Sequence, residues 1–83
     1  MNVVSINGPV EDVNGKLKLR IPLVVGGHEL IESSRGIGAV EGDFLVITIP
    51  EWLAKKLGVL SGTVVNVNNK DGRFNIEVCG ENA

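Results

Sequence analysis

Residues 49–59 read Ile-Pro-Glu-Trp-Leu-Ala-Lys-Lys-Leu-Gly-Val, and the hydrophobic period of the chain changes inside them. Up to Ile49 the run from Asp43 is almost continuously apolar, the pattern of a strand covered on both sides. Pro50 suits the first helical position, Glu51 suits the positive end of a helix dipole, and Lys55 and Lys56 suit the negative end. Leu53 and Leu57 lie four apart and share one face. Gly58 can take the left-handed conformation that stops a helix, leaving Val59 to close over that face. The stretch therefore predicts a buried strand that turns at a proline into one short helix, about 51–57.

Outward from this point the chain returns to a period of two. After Ser61-Gly62, Thr63 to Val67 reads as a strand. Arg73 to Val78 reads as another, with Phe74, Ile76 and Val78 on one face, and Asp71-Gly72 between them signals a hairpin. Upstream, Val3 to Ile6 is a short strand candidate stopped by Asn7-Gly8-Pro9, and Asn14-Gly15 marks a tight turn. Lys16 to Ile21 alternates: Leu17, Leu19 and Ile21 would face a core, which places Lys16, Lys18 and Arg20 together on the opposite face. Pro22 ends that strand. His28 to Glu32 is a weaker strand candidate between glycines.

The 83 residues are enough for a single domain and leave no room for a second lobe. The composition is 43% hydrophobic, dominated by Val, Ile and Leu, with 22% charged residues, and so points to a mainly β globular chain. A net charge of -2 and a pI near 5.2 argue against coating nucleic acid by bulk charge, although a local basic stripe remains open. Cys79 is the sole cysteine, which excludes an internal disulfide and favours a buried or idle thiol. Met1 to Gly8 shows no leader pattern and no apolar run approaches a membrane span, so a cytoplasmic protein without a membrane partner is expected.

Ser33-Ser34-Arg35-Gly36-Ile37-Gly38 has the look of a phosphate-cradling turn. Its third glycine position is occupied by Glu41, and the residues from Ala39 to Ile49 read as loop and strand where a dinucleotide site needs a helix. A plain glycine-rich turn is the better reading. His28 has no carboxylate, Cys or second His at ligand spacing, and Ser33 and Ser34 have no recognisable base. No enzyme, metal or cofactor is expected. Trp52, beside Leu53, reads as a core or interface anchor.

The run from Ile49 to Val59, followed by Ser61-Gly62-Thr63-Val64-Val65-Asn66-Val67 and Asp71-Gly72-Arg73-Phe74-Asn75-Ile76, resembles the AbrB/MazE type of swapped-hairpin domain over about Val40 to Val78. The order and spacing agree: strand, Ile-Pro, short basic helix, Leu-Gly, glycine turn and closing hairpin. Thr63 stands where the family usually has Asp. The resemblance implies a small β-barrel with one short helix, completed by two interleaved chains. It also implies a transcription regulator, or the DNA-binding half of an antitoxin, that grips duplex DNA with basic residues before the helix. Here Asp43 to Ile49 carries no Lys or Arg, and the basic strand lies one unit earlier. That puts Lys16, Lys18, Arg20 and Arg35 forward as DNA-binding residues, and a homodimer as the assembly.

Val13-Asn14-Gly15 leading to Ile21-Pro22 parallels Val40-Glu41-Gly42 leading to Ile49-Pro50, with Leu23-Val24-Val25-Gly26-Gly27 in place of the helix. This internal repeat suggests a second architecture, in which one chain holds both halves, closer to monomeric double-psi and related cradle-loop barrels. Two functions follow. One is an AbrB-like DNA-binding regulator, with the antitoxin form the weaker branch because only Gly80 to Ala83 follow the last strand. The other is a closed monomeric barrel that binds a protein partner or a small molecule and no nucleic acid.

Overall fold

Pro22 and Pro50 both sit at helix N-caps, with φ of -59° in each case, and each converts a preceding strand into a helix. This strand, Ile-Pro, helix unit occurs twice. The computed structural model describes residues 4–79, with the side chains of residues 26–28 outside that description. Val3, expected to open the first strand, lies outside it, as do residues 80–83.

In chain order the elements are β1 (Ser5–Pro9), β2 (Glu11–Val13), β3 (Lys16–Pro22), α1 (Leu23–Ser33), β4 (Gly38–Glu41), β5 (Phe44–Ile49), α2 (Glu51–Leu57), β6 (Val64–Asn68) and β7 (Asn75–Val78). They form two antiparallel sheets, one ordered β1-β6-β7 and the other β2-β3-β5-β4. The chain passes from one sheet to the other at Val10. There the backbone N–H donates to the Thr63 carbonyl at 2.9 Å, and the carbonyl accepts from Gly62 N–H at 2.7 Å. Val10 itself is buried, so the corner is anchored from inside.

The core lies between the sheets. Leu19, Ile21, Leu45, Ile47 and Ile49 project from the four-stranded sheet and Val65 and Val67 from the three-stranded one, closed by Leu30 of α1, Ala54 of α2 and Val59. The mainly β expectation holds at this level. Most strands fall where alternation and turn residues place them. β1 differs, because it runs on through Asn7-Gly8-Pro9, where a stop was expected. Pro9 is tolerated there because β1 is an edge strand.

The expectation of one helix is corrected, since α1 is a second helix, of 11 residues. Leu23-Val24-Val25-Gly26-Gly27 begins it, and residues 28–32, expected to be a strand, lie in its second half. Leu30 is fully buried while Leu23 and Ile31 pack against the core, so tertiary contact holds a segment with poor helical propensity. α2 follows the sequence reading closely: Gly58 adopts φ 74°, and Val59 N–H donates to the Ala54 carbonyl at 2.9 Å.

The two units are related in space as well as in sequence. Superimposing Ile21-Pro22 on Ile49-Pro50 carries Leu17 onto Leu45 and Leu19 onto Ile47. In the sheet, Leu19 pairs directly with Ile47, its own equivalent, while Leu17 pairs with Ile49 and Ile21 with Leu45. An antiparallel pair with that register has a local two-fold axis through the Leu19–Ile47 pair. The strand order β2-β3-β5-β4 obeys it, since the axis exchanges the β2–β3 hairpin with the β4–β5 hairpin.

Candidate functional site

Strand alternation and the two-residue turn at Asn14-Gly15 fix what shares a face with the basic stripe. The turn sets Val13 opposite Lys16 and Glu11 opposite Lys18. On the other side β5 sets Thr48 opposite Lys18, Val46 opposite Arg20 and Phe44 opposite Pro22. Because Leu17, Leu19 and Ile21 point to the core, Lys16, Lys18 and Arg20 stand on the outer face of the four-stranded sheet, as alternation predicts. Lys16 and Arg20 are exposed and Lys18 is half-buried.

The three cations differ in their surroundings. Arg20 Nη2 lies 3.5 Å from Glu11 Oε1, and the guanidinium sits 5.6 Å from the centre of the Phe44 ring. Both groups are well exposed, so the ion pair orients the guanidinium more than it stabilises the fold. The ring supplies a second, directional hold. Among the described residues, neither Lys16 nor Lys18 takes part in an ion pair. Val46, on the same outward face, is only 6% exposed. It lies between Arg20 on β3 and Ala39 on β4, so strand neighbours provide the cover expected of a second layer. Phe44 and Glu11 were not singled out from the sequence. The turn at Asn14-Gly15 was the available signal for Glu11, because a two-residue hairpin determines its partner.

Arg35 does not join the stripe. It lies in the turn between α1 and β4, where its Nη2 is 3.2 Å from Glu32 Oε1. Ser33 Oγ donates to the Glu29 carbonyl at 2.8 Å, and Ser34, only 1% exposed, donates to the Ile31 carbonyl at 3.5 Å. Both hydroxyls are thus spent on the end of α1. His28 lies within α1, and its side chain is outside the described residues. Among the described residues no group of three or more His, Cys, Asp or Glu is placed to hold a metal ion, and no helix is long and apolar enough to cross a membrane.

For two single residues the structure removes one half of the expectation, the buried thiol for Cys79 and the core anchor for Trp52. Cys79 is exposed and free, because it follows the last residue of edge strand β7. Trp52 is 66% exposed, so it is not a core anchor. Ala54 is buried and Leu53 and Leu57 are partly buried, and this fixes the inward face of α2 and turns Trp52 away from it. Trp52→Ala is accordingly expected to change the unfolding free energy by less than about 0.5 kcal/mol. A denaturant titration checks this, and a loss of about 2 kcal/mol or more would place the ring in the core.

The outer face of the three-stranded sheet carries a second feature. Asn66 Nδ2 donates to Ser5 Oγ at 2.8 Å and to Asn7 Oδ1 at 2.7 Å, Asn68 Nδ2 donates to Asn66 Oδ1 at 2.8 Å, and Asn75 Nδ2 donates to Asn68 Oδ1 at 3.2 Å. The amides form a continuous chain across β1, β6 and β7. The alternation Asn66-Val67-Asn68 was its signal. The chain ties the three strands in register and presents no charge.

No family model, no curated protein and no solved structure matches this chain.

Proposed function

We propose that the protein is a non-enzymatic binding module that holds the phosphate backbone of duplex DNA on the outer face of its four-stranded sheet, as an AbrB-like transcription regulator. The observation that carries this reading is the stripe itself. Lys16, Lys18 and Arg20 occupy successive outward positions of β3, an inner strand of the sheet, with Lys16 and Arg20 exposed and Lys18 half-buried. Phosphate contacts need positive charge at regular spacing and no base-reading geometry. Residues two apart on a strand lie about 7 Å apart, so the three cations stand at a regular spacing. The small barrel of the swapped-hairpin family, or a related cradle-loop barrel, is the architecture this reading invokes. Both strand, Ile-Pro, helix units are present in one chain, and in the swapped-hairpin reading a second chain interleaves with it to complete the barrel. A homodimer is the expected assembly, and light scattering that showed only a single species of 8.8 kDa would remove the interleaved form.

A salt titration of duplex binding tests the proposal. Three phosphates neutralised per chain predict a slope of log affinity against log salt of about −2.7, and a homodimer using both stripes would double it to about −5. Lys18→Glu should weaken binding to all sequences alike and flatten the slope, with stability changing by less than about 0.5 kcal/mol. Glu11→Gln should strengthen binding, because it frees Arg20 and removes a carboxylate from the face. Absence of binding at low salt, where non-specific attraction is strongest, would remove the regulator reading.

A further inference from the structure

The β2–β3 turn and α2 leave a groove between them that encloses about 780 Å³. Its floor is apolar, made by Leu17, Ile49, Ala54 and Val59, and Leu60 stands at its edge with 71% of its surface exposed. Lys16, at the start of β3, borders it on one side, and Glu51 and Lys55 of α2 border it on the other. Lys55 Nζ lies 3.5 Å from Glu51 Oε2, whereas Lys16 is in no ion pair among the described residues. The volume falls in the range of small-molecule sites, and an apolar floor with a few placed polar groups is their usual lining.

We infer that this groove is a binding site for a small amphipathic carboxylate of the fatty-acid class. The apolar body lies along Leu17, Ala54 and Leu60, and the carboxylate reaches the Lys16 ammonium. Charge complementarity selects the ligand. The floor has little to offer a polar ligand, and the bordering cation without a carboxylate partner is Lys16, at the mouth. A neutral ligand would leave that ammonium unused, and a cationic one would be repelled by it, since Glu51 is already paired with Lys55. The same geometry accounts for Leu60, whose exposed side chain covers a bound apolar body. Lys16 is shared with the stripe of the proposed function, so DNA binding is tested separately through Lys18, which does not line the groove.

The experiment is a titration of the labelled wild-type protein with octanoate, followed by amide chemical shifts, with octanol as the uncharged control. Saturable shifts confined to residues of the groove are expected, with a Kd below about 1 mM. Octanol should bind more weakly, and Lys16→Glu should weaken octanoate by about fivefold or more while leaving octanol unchanged. Leu60→Asp, a change at an exposed position that spares the fold, should weaken both. No shifts in the groove, equal affinity for acid and alcohol, or groove signals that move with protein concentration alone would overturn the proposal. The last of these would show a second copy of the chain as the occupant.

Discussion

Leu19→Ala and Ile47→Ala are each expected to lower the unfolding free energy by about 3 kcal/mol, the usual cost of emptying a fully buried large aliphatic position. For a domain of this size such a loss lowers Tm by on the order of 15 °C. Leu19 is 2% exposed and Ile47 is fully buried, and the two face each other across β3 and β5. They are also equivalent positions of the two halves. Removing one side chain already forfeits the contact between them, so the double variant should lose less than the sum of the single losses, by about 1 kcal/mol. Lys18 and Thr48, paired on the outer face of the same two strands, supply the contrast. Lys18→Ala and Thr48→Ala should each cost less than about 1 kcal/mol and should add simply. Thermal and denaturant unfolding of the six variants measures all of this. A loss below about 1 kcal/mol at Leu19 or Ile47 would mean that the local two-fold axis does not pass through the core.

The same pair shows what the sequence could and could not reveal. The apolar residues of β3 and β5 were legible because alternation and the unbroken apolar run each have one good physical explanation. Pairing of Leu19 with Ile47 was not legible from alternation, although the repeat of Ile-Pro implied that the two strands are equivalents. The helix α1 was hidden for a specific reason. Gly26-Gly27 and the β-branched Val24 and Val25 all lower helical propensity, and among the described residues of α1 only Leu23, Leu30 and Ile31 reach the core, a spacing too sparse to show as a period. Its stability comes from where Leu30 lands, which depends on both sheets. For Trp52 the core half of the expectation fell: its hydrophobicity was visible, but the phase of a seven-residue helix is set by Leu53, Ala54 and Leu57, and Trp52 falls outside the face they define. At the candidate site, alternation was enough to place Lys16, Lys18 and Arg20 on one face. It could not show that Glu11 and Phe44 hold Arg20, or that Arg35 is held by Glu32 elsewhere.

Gly38→Val is expected to cost about 3 kcal/mol or more, and its origin explains the glycine-rich stretch that resembles a phosphate turn. Gly36 adopts φ +98°, a conformation that side chains rarely accept, and it lets the chain reverse from α1 into β4. Gly38 serves a different purpose. A Cβ built there would lie 2.5 Å from Ser34 Oγ and 3.0 Å from Ile47 Cδ1. Ser34 cannot simply move aside, since its carbonyl accepts from Ile37 N–H at 3.1 Å and from Gly38 N–H at 2.8 Å, while its own N–H donates to the Leu30 carbonyl at 3.0 Å. The backbone of β4 therefore passes directly over the buried end of α1, and any side chain at residue 38 separates the helix from the sheet. Overpacking of this kind costs about 1–3 kcal/mol for a methyl group, and more for a branched side chain that also meets Ile47. Gly38→Ala should accordingly lose about 2 kcal/mol. Combining it with Ser34→Gly, which removes the nearest obstructing atoms, should recover part of the loss beyond the cost of Ser34→Gly alone. Strict additivity of the two changes would show that Ser34 and Gly38 are not in contact. The glycines would then have to be explained by something other than the docking of α1.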